Sequence, residues 1–126
     1  KLMIQNNKVD LIFQAASRSG LGVIKGCEEL GIHCIGSDDW QGNVSDCVFW
    51  SALKPINEAM YTEGKSVYEN EFVAGFKEYG LAQGMALYDQ RDIDKLPEDL
   101  KKEVLQLTED IKSGKIDVKA GFKDEE

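Results

Sequence analysis

Three short stretches of this chain gather residue types that can hold a polar solute. The first is Ser17-Arg18-Ser19-Gly20, the second Asp38-Asp39-Trp40-Gln41 and the third Ser51-Ala52-Leu53-Lys54. Each follows an apolar run, and each combines small or polar residues with a charge. Backbone N–H groups at the start of a helix suit an electron-rich oxygen. A carboxylate such as Asp38 accepts charge-assisted hydrogen bonds, and an ammonium such as Lys54 donates them. Plainer roles remain open for each: Asp38 as a turn residue after a strand, Lys54 as a solvated cap before Pro55, and Trp40 packed between loops rather than stacked on a ligand. Catalysis has less to stand on. Ser51 has no base placed beside it, and His33, the one histidine, has no nucleophile in an evident motif near it. The sequence holds no metal-ligand cluster and no phosphate loop, so the expectation is binding without a catalytic residue, metal or cofactor.

Composition narrows the partners. Fifteen Lys and Arg stand against 23 Asp and Glu in 126 residues, a net charge of −8. That balance argues against a nucleic-acid partner, whose phosphates demand clustered Lys and Arg. No stretch approaches the roughly 20 apolar residues of a membrane span. Cys27, Cys34 and Cys47 are odd in number and form no Cys-x-x-Cys pair. They read as buried small hydrophobes.

The elements that must position these residues follow from the apolar pattern. Residues 9–15 and 32–36 are short apolar runs suited to buried parallel strands. Between them Leu21, Ile24, Cys27 and Leu30 recur at helical spacing, with Ser17 or Ser19 as N-cap and Gly31 at C′. Residues 46–53 predict a third strand. Pro55 opens a helix with Ile56, Ala59, Met60, Val67 and Phe72 along one stripe. Residues 76–81 and 84–88 read as two short strands joined by a turn. Pro97 opens a last helix with Leu100, Val104, Leu107 and Ile111 on one face. Residues 115–118 read as a final strand, and 119–126 as a charged, frayed tail. Alternating strands and helices predict an α/β fold with a mainly parallel sheet, and such sheets bind ligands beyond the carboxyl ends of their strands. All three polar stretches fall at those ends.

A resemblance adds to this. The segments Asp10-Leu11-Ile12-Phe13-Gln14-Ala15-Ala16 through Ser19-Gly20-Leu21-Gly22-Val23, Ile35-Gly36-Ser37-Asp38-Asp39-Trp40-Gln41 and Trp50-Ser51-Ala52-Leu53-Lys54 are joined by Gly80-Leu81-Ala82-Gln83-Gly84 and by Leu96-Pro97 with Ile111-Lys112-Ser113-Gly114-Lys115-Ile116. In order and spacing they resemble the basic membrane protein family of nucleoside-binding lipoproteins, the substrate-binding components of ABC transporters. The resemblance implies a three-layer, parallel-sheet lobe of the type I periplasmic-binding-protein-like fold. It implies a purine nucleoside or related small molecule as ligand, closed between two lobes. It gives Asp38 the ribose hydroxyls, Lys54 a ligand contact at the hinge, and the loop of Ser17, Arg18, Ser19 and Gly20 a backbone lining of the cleft. Ser17-Arg18 stands where the family commonly has two glycines, and Trp40 where it usually has a second acidic residue; a Trp there suits stacking on a base or sugar face.

The same resemblance implies that residues 1–118 are the C-terminal lobe portion of a longer two-lobed protein. Residues 54–72 would then be the hinge crossing and a helix packed on the first lobe, so that the first lobe or a second copy of the chain covers its apolar face. The whole protein would be an extracytoplasmic lipoprotein, anchored to the membrane and partnered by an ABC permease. A competing expectation is an effector-sensing domain of a transcription regulator or receptor, which uses the same fold.

Overall fold

A computed structural model describes residues 1–121. The chain divides into two compact units. The first is Lys1–Pro55 with Ala86–Lys95, and the second is Ile56–Met85 with the chain from Leu96 onward.

The first unit is built on β1 (Leu11–Phe13), β2 (His33–Asp38) and β3 (Val48–Leu53), in that order across one fully parallel sheet. The register sets Leu11 against His33 and Asp38 against Leu53, with an irregularity at Cys34/Ile35. Parallel neighbours need a crossover. Helix α2 (Gly20–Leu30) supplies the one between β1 and β2. It ends where expected, at Gly31, whose φ of +66° is a left-handed conformation that costs a side-chain-bearing residue energy. A helix α1 (Leu2–Asn7), not foreseen in the sequence, precedes β1 and buries Ile4. Ile4 joins Ile24, Cys27, Cys34 and Val48 in one core, with Val9, Ile12, Val23, Leu30, Ile32 and Cys47 packed against it. Each large aliphatic side chain so buried contributes about 1.5–3 kcal/mol. Burial also pushes the Cys34 thiol up to about 12 and raises that of Cys27, so both stay protonated. The fold is α/β, a parallel three-stranded sheet flanked by helices, the layout of a periplasmic-binding-protein-like lobe.

Several expectations are corrected. Neither Ser17 nor Ser19 caps α2 with its side chain. A 3-10 turn, Ser17–Ser19, leads into the helix instead, with Ser19 N–H donating to the Ala16 carbonyl at 3.1 Å. The two strands expected within 76–88 do not form. A strand needs a ladder, and this segment has one such bond, from Leu53 N–H to the Leu87 carbonyl at 2.9 Å beside β3. Residues Leu81–Gln83 form a 3-10 turn, and a short helix α4 (Gln90–Ile93) follows. The strand expected at 115–118 is also absent. Ile116 N–H turns back to the Asp110 carbonyl at 3.0 Å, and Val118–Gly121 is a 3-10 turn. Of the expected frayed tail, Lys119 is held to Glu78 at 2.5 Å, and residues 122–126 lie outside the described residues.

The second unit carries α3 (Ile56–Tyr68) and α5 (Glu98–Lys112). No residue of α3 is buried, and Ile56, Met60, Tyr61, Val67 and Tyr68 are all exposed. In α5 the inner face runs through Val104, Thr108 and Ile111, while Leu100 and Leu107 of the expected stripe are exposed. Glu63 of α3 accepts from Lys77 at 2.5 Å and from the Tyr79 hydroxyl, tying the following segment to the helix. These donors hold the Glu63 carboxyl below its ordinary range, and the hydrogen bond to the Glu63 carboxylate raises the Tyr79 phenol.

Candidate functional site

The carboxyl ends of β1, β2 and β3 share one edge of the sheet, and the three polar stretches begin there. Gln14, buried at the end of β1, is the hub beneath them. Its amide nitrogen donates to Gln41 Oε1 at 2.7 Å and to Ser37 Oγ at 3.2 Å, and its oxygen accepts from Ala16 N–H at 3.1 Å. Gln41 Oε1 also accepts from Ser37 N–H at 3.2 Å, and Gln41 N–H donates to the buried Ser51 Oγ at 3.0 Å. Buried polar groups are stable only when paired, and this network pairs them while linking all three strand ends.

The loop after β1 places Ser17, Arg18 and Ser19 at the surface. Ser17 has φ +51°, an uncommon conformation for a residue with a side chain. Gly20, first in α2, is buried against the Gln14 carboxamide, which a Cβ there would displace. At the end of β2, Asp38 also has φ +72°, and its carbonyl accepts from Lys54 N–H at 2.9 Å. The backbone therefore brings Asp38 and Lys54 side by side, both exposed. Among the described residues, two of the four left-handed ones other than glycine lie in these stretches, and such strain tends to gather at ligand sites.

Trp40 makes a different set of contacts. Its Nε1–H donates to Asp92 Oδ1 at 3.1 Å, the Arg91 guanidinium lies over its ring at 3.4 Å from the centroid, and the chain at Gly42 lies against the same indole. Asp92 is fully buried and takes Ser51 N–H on its other oxygen at 2.8 Å, with Lys95 at 3.4 Å. Arg91 is gripped by both oxygens of Asp89 at 2.7 Å, and this pairing holds the Asp89 carboxyl down to about 2. Sequence reading missed Gln14, Asp89, Arg91 and Asp92 as parts of this edge. Gln14 carried a signal, a polar residue closing an apolar run. Asp92 carried none, since its partners Trp40 and Ser51 lie 52 and 41 residues away.

Among the described residues no group of His, Cys, Asp and Glu could hold a metal ion, and no helix is long and apolar enough to cross a membrane.

A parallel-sheet lobe with polar loops along its carboxyl edge has the form of a ligand-binding lobe. Comparison with known proteins makes this specific. Residues 1–121 match the family described as ABC transporter substrate-binding protein PnrA-like, or Bmp, and the chain belongs to that family. It is 31% identical over 116 residues to Basic membrane protein D of Borreliella burgdorferi (strain JD1), covering 87% of this chain and 34% of that protein. The chain thus spans about a third of the curated relative it matches. A solved structure titled as a transcriptional activator of the comK gene from Bacillus halodurans superposes with a TM-score of 0.76 at 13% identity. It covers 90% of this chain and 40% of its own, a likeness of fold.

Proposed function

We propose that this chain is the later lobe of a two-lobed solute-binding protein that takes a purine nucleoside, or a related small molecule, for uptake by an ABC transporter. The observation that carries the reading is the pairing of strand ends β2 and β3. It sets Asp38 and Lys54 next to each other, on the same sheet edge as the loop of Ser17, Arg18, Ser19 and Gly20. In this reading the Asp38 carboxylate accepts two ribose hydroxyls, Lys54 donates to a ligand oxygen, and backbone N–H groups of the loop line the cleft. Arg18 stands in that loop as a donor to a ligand oxygen. Arg91 already covers the indole of Trp40, so Trp40 serves as a fixed wall at the cleft mouth. Ligand bridging two lobes favours the closed state, because only that state makes both sets of contacts. Membership of the Bmp family supports the reading, which extends to an extracytoplasmic, lipid-anchored protein with a permease partner.

The test is calorimetry on the two-lobed protein with a panel of nucleosides and sugars. Purine nucleosides are expected to bind. Asp38→Ala is expected to weaken them by more than about tenfold, the loss of a strong hydrogen-bonding group that bound ligand would bury. Unchanged affinity would remove Asp38 from the site.

A second reading, an effector-sensing domain of a transcription regulator, has the likeness to the comK activator in its favour. That likeness is one of fold, and family membership favours uptake.

A further inference from the structure

Asp92 is the most deeply buried carboxylate on the sheet edge just described, yet it comes from α4, far along the chain. It is fully shielded, and each oxygen takes a donor from a different polar stretch: Trp40 Nε1–H on Oδ1 and Ser51 N–H on Oδ2. The neighbouring side chain, Arg91, covers the Trp40 ring and is itself fixed by Asp89. A buried carboxylate holds its directed donors firmly, because charge-assisted hydrogen bonds are strong in a shielded site; Lys95, at 3.4 Å from Oδ1, balances its charge. We infer that Asp92 is a positioning residue for the ligand site: it locks the Trp40 indole and the end of β3 in place, so that the wall of the cleft mouth is set before ligand arrives. The inference rests on the proposed ligand site and adds a residue to it. Asp92 itself is sealed from solvent and touches no ligand.

Two substitutions separate this role from a general contribution to stability. Asp92→Asn keeps the shape but turns one oxygen into an amide donor, which faces an N–H it can no longer accept. Trp40→Phe keeps an aromatic ring and removes the indole donor. The first readout needs no ligand. In a Trp50→Phe background, the Trp40 indole N–H is followed by nuclear magnetic resonance and hydrogen exchange. It is expected to exchange slowly in the parent and to shift and exchange faster with Asp92→Asn. An unchanged resonance and rate overturn the inference.

The second readout is guanosine affinity of the two-lobed protein by calorimetry. Asp92→Asn is expected to weaken it about fivefold or more, and by less than about twofold when Trp40→Phe is already present, because the two act through one contact. Equal losses in both backgrounds mean that Asp92 does not act through Trp40, and the inference fails. If the unaltered protein binds none of the nucleosides, the ligand reading itself falls and the site role of Asp92 with it. The indole readout then still reports whether Asp92 holds Trp40, so the two failures are distinguishable.

Discussion

At the scale of single residues, the charges on the sheet edge are sorted by their partners. Asp89 caps α4 by accepting Arg91 N–H at 2.9 Å and also grips the Arg91 guanidinium. Its carboxyl is thereby held at about 2, below the ordinary 3.8. A carboxylate whose pKa falls on folding contributes stability that is complete above its unfolded value and is lost as pH falls through the folded one. Asn is as good a cap as Asp, so Asp89→Asn isolates the charge. The melting temperature of Asp89→Asn should lie below that of the parent at pH 7, with the gap closing between about pH 4 and pH 2. Arg91 is more than half exposed, so solvent screens the pair and the gap should be small. A gap that persists at pH 2 would show that charge is not its source. The thiols are sorted by burial in the same way. Cys47, half-buried, is expected to react with iodoacetamide in the native protein, whereas Cys27 and Cys34 react only in denaturant, because the thiolate is the nucleophile and both are held as thiols. Native labelling of Cys34, read by peptide mass spectrometry, would contradict this.

Elements show why some of the fold was legible in the sequence and some was not. Helix α2 announced itself because its apolar spacing and its stop at Gly31 are local. Helices α3 and α5 did so through their prolines, and β1, β2 and β3 through short apolar runs. The strand ends and the three polar stretches were legible for the same reason: a parallel sheet puts its loops at one edge. The segment 76–88 misled because alternation predicts a strand only if a neighbour supplies the ladder, and that neighbour is a tertiary fact. Helix α1 was hidden because a single buried residue, Ile4, anchors it. Asp92 was hidden because a buried acid is defined by partners remote in sequence. Two glycines test the local part of this account. Gly31 is left-handed, so Gly31→Ala should destabilise by about 1–2 kcal/mol. Gly64 lies inside α3 with open space where a Cβ would go, so Gly64→Ala should stabilise by about 1 kcal/mol. Opposite shifts in denaturant midpoint are expected; shifts of the same sign would contradict the assignment of these helices.

For the whole molecule, the question is what covers α3. Ile56, Met60 and Val67 share its apolar stripe, and all are exposed, as are Phe72, Val73 and Phe76 just beyond the helix. Scattered apolar residues on a surface are ordinary, but a run of this length concentrated on one helix and its continuation is a surface that water disfavours. The first lobe of the two-lobed protein proposed above would be one cover, and a second copy of the chain would be another. In a solution of this chain only the second is present, so the chain should associate as its concentration rises. The net charge of −8 opposes that association, and added salt should therefore strengthen it by screening the repulsion. Met60→Glu together with Val67→Glu places two charges one heptad apart on the stripe. Neither side chain is buried, so the helix should keep its circular dichroism while association is lost. Sedimentation velocity across concentration and salt reads both effects. A parent chain that stays monomeric throughout would show that the α3 face needs no partner, and would remove the main physical reason for assigning it to a lobe interface.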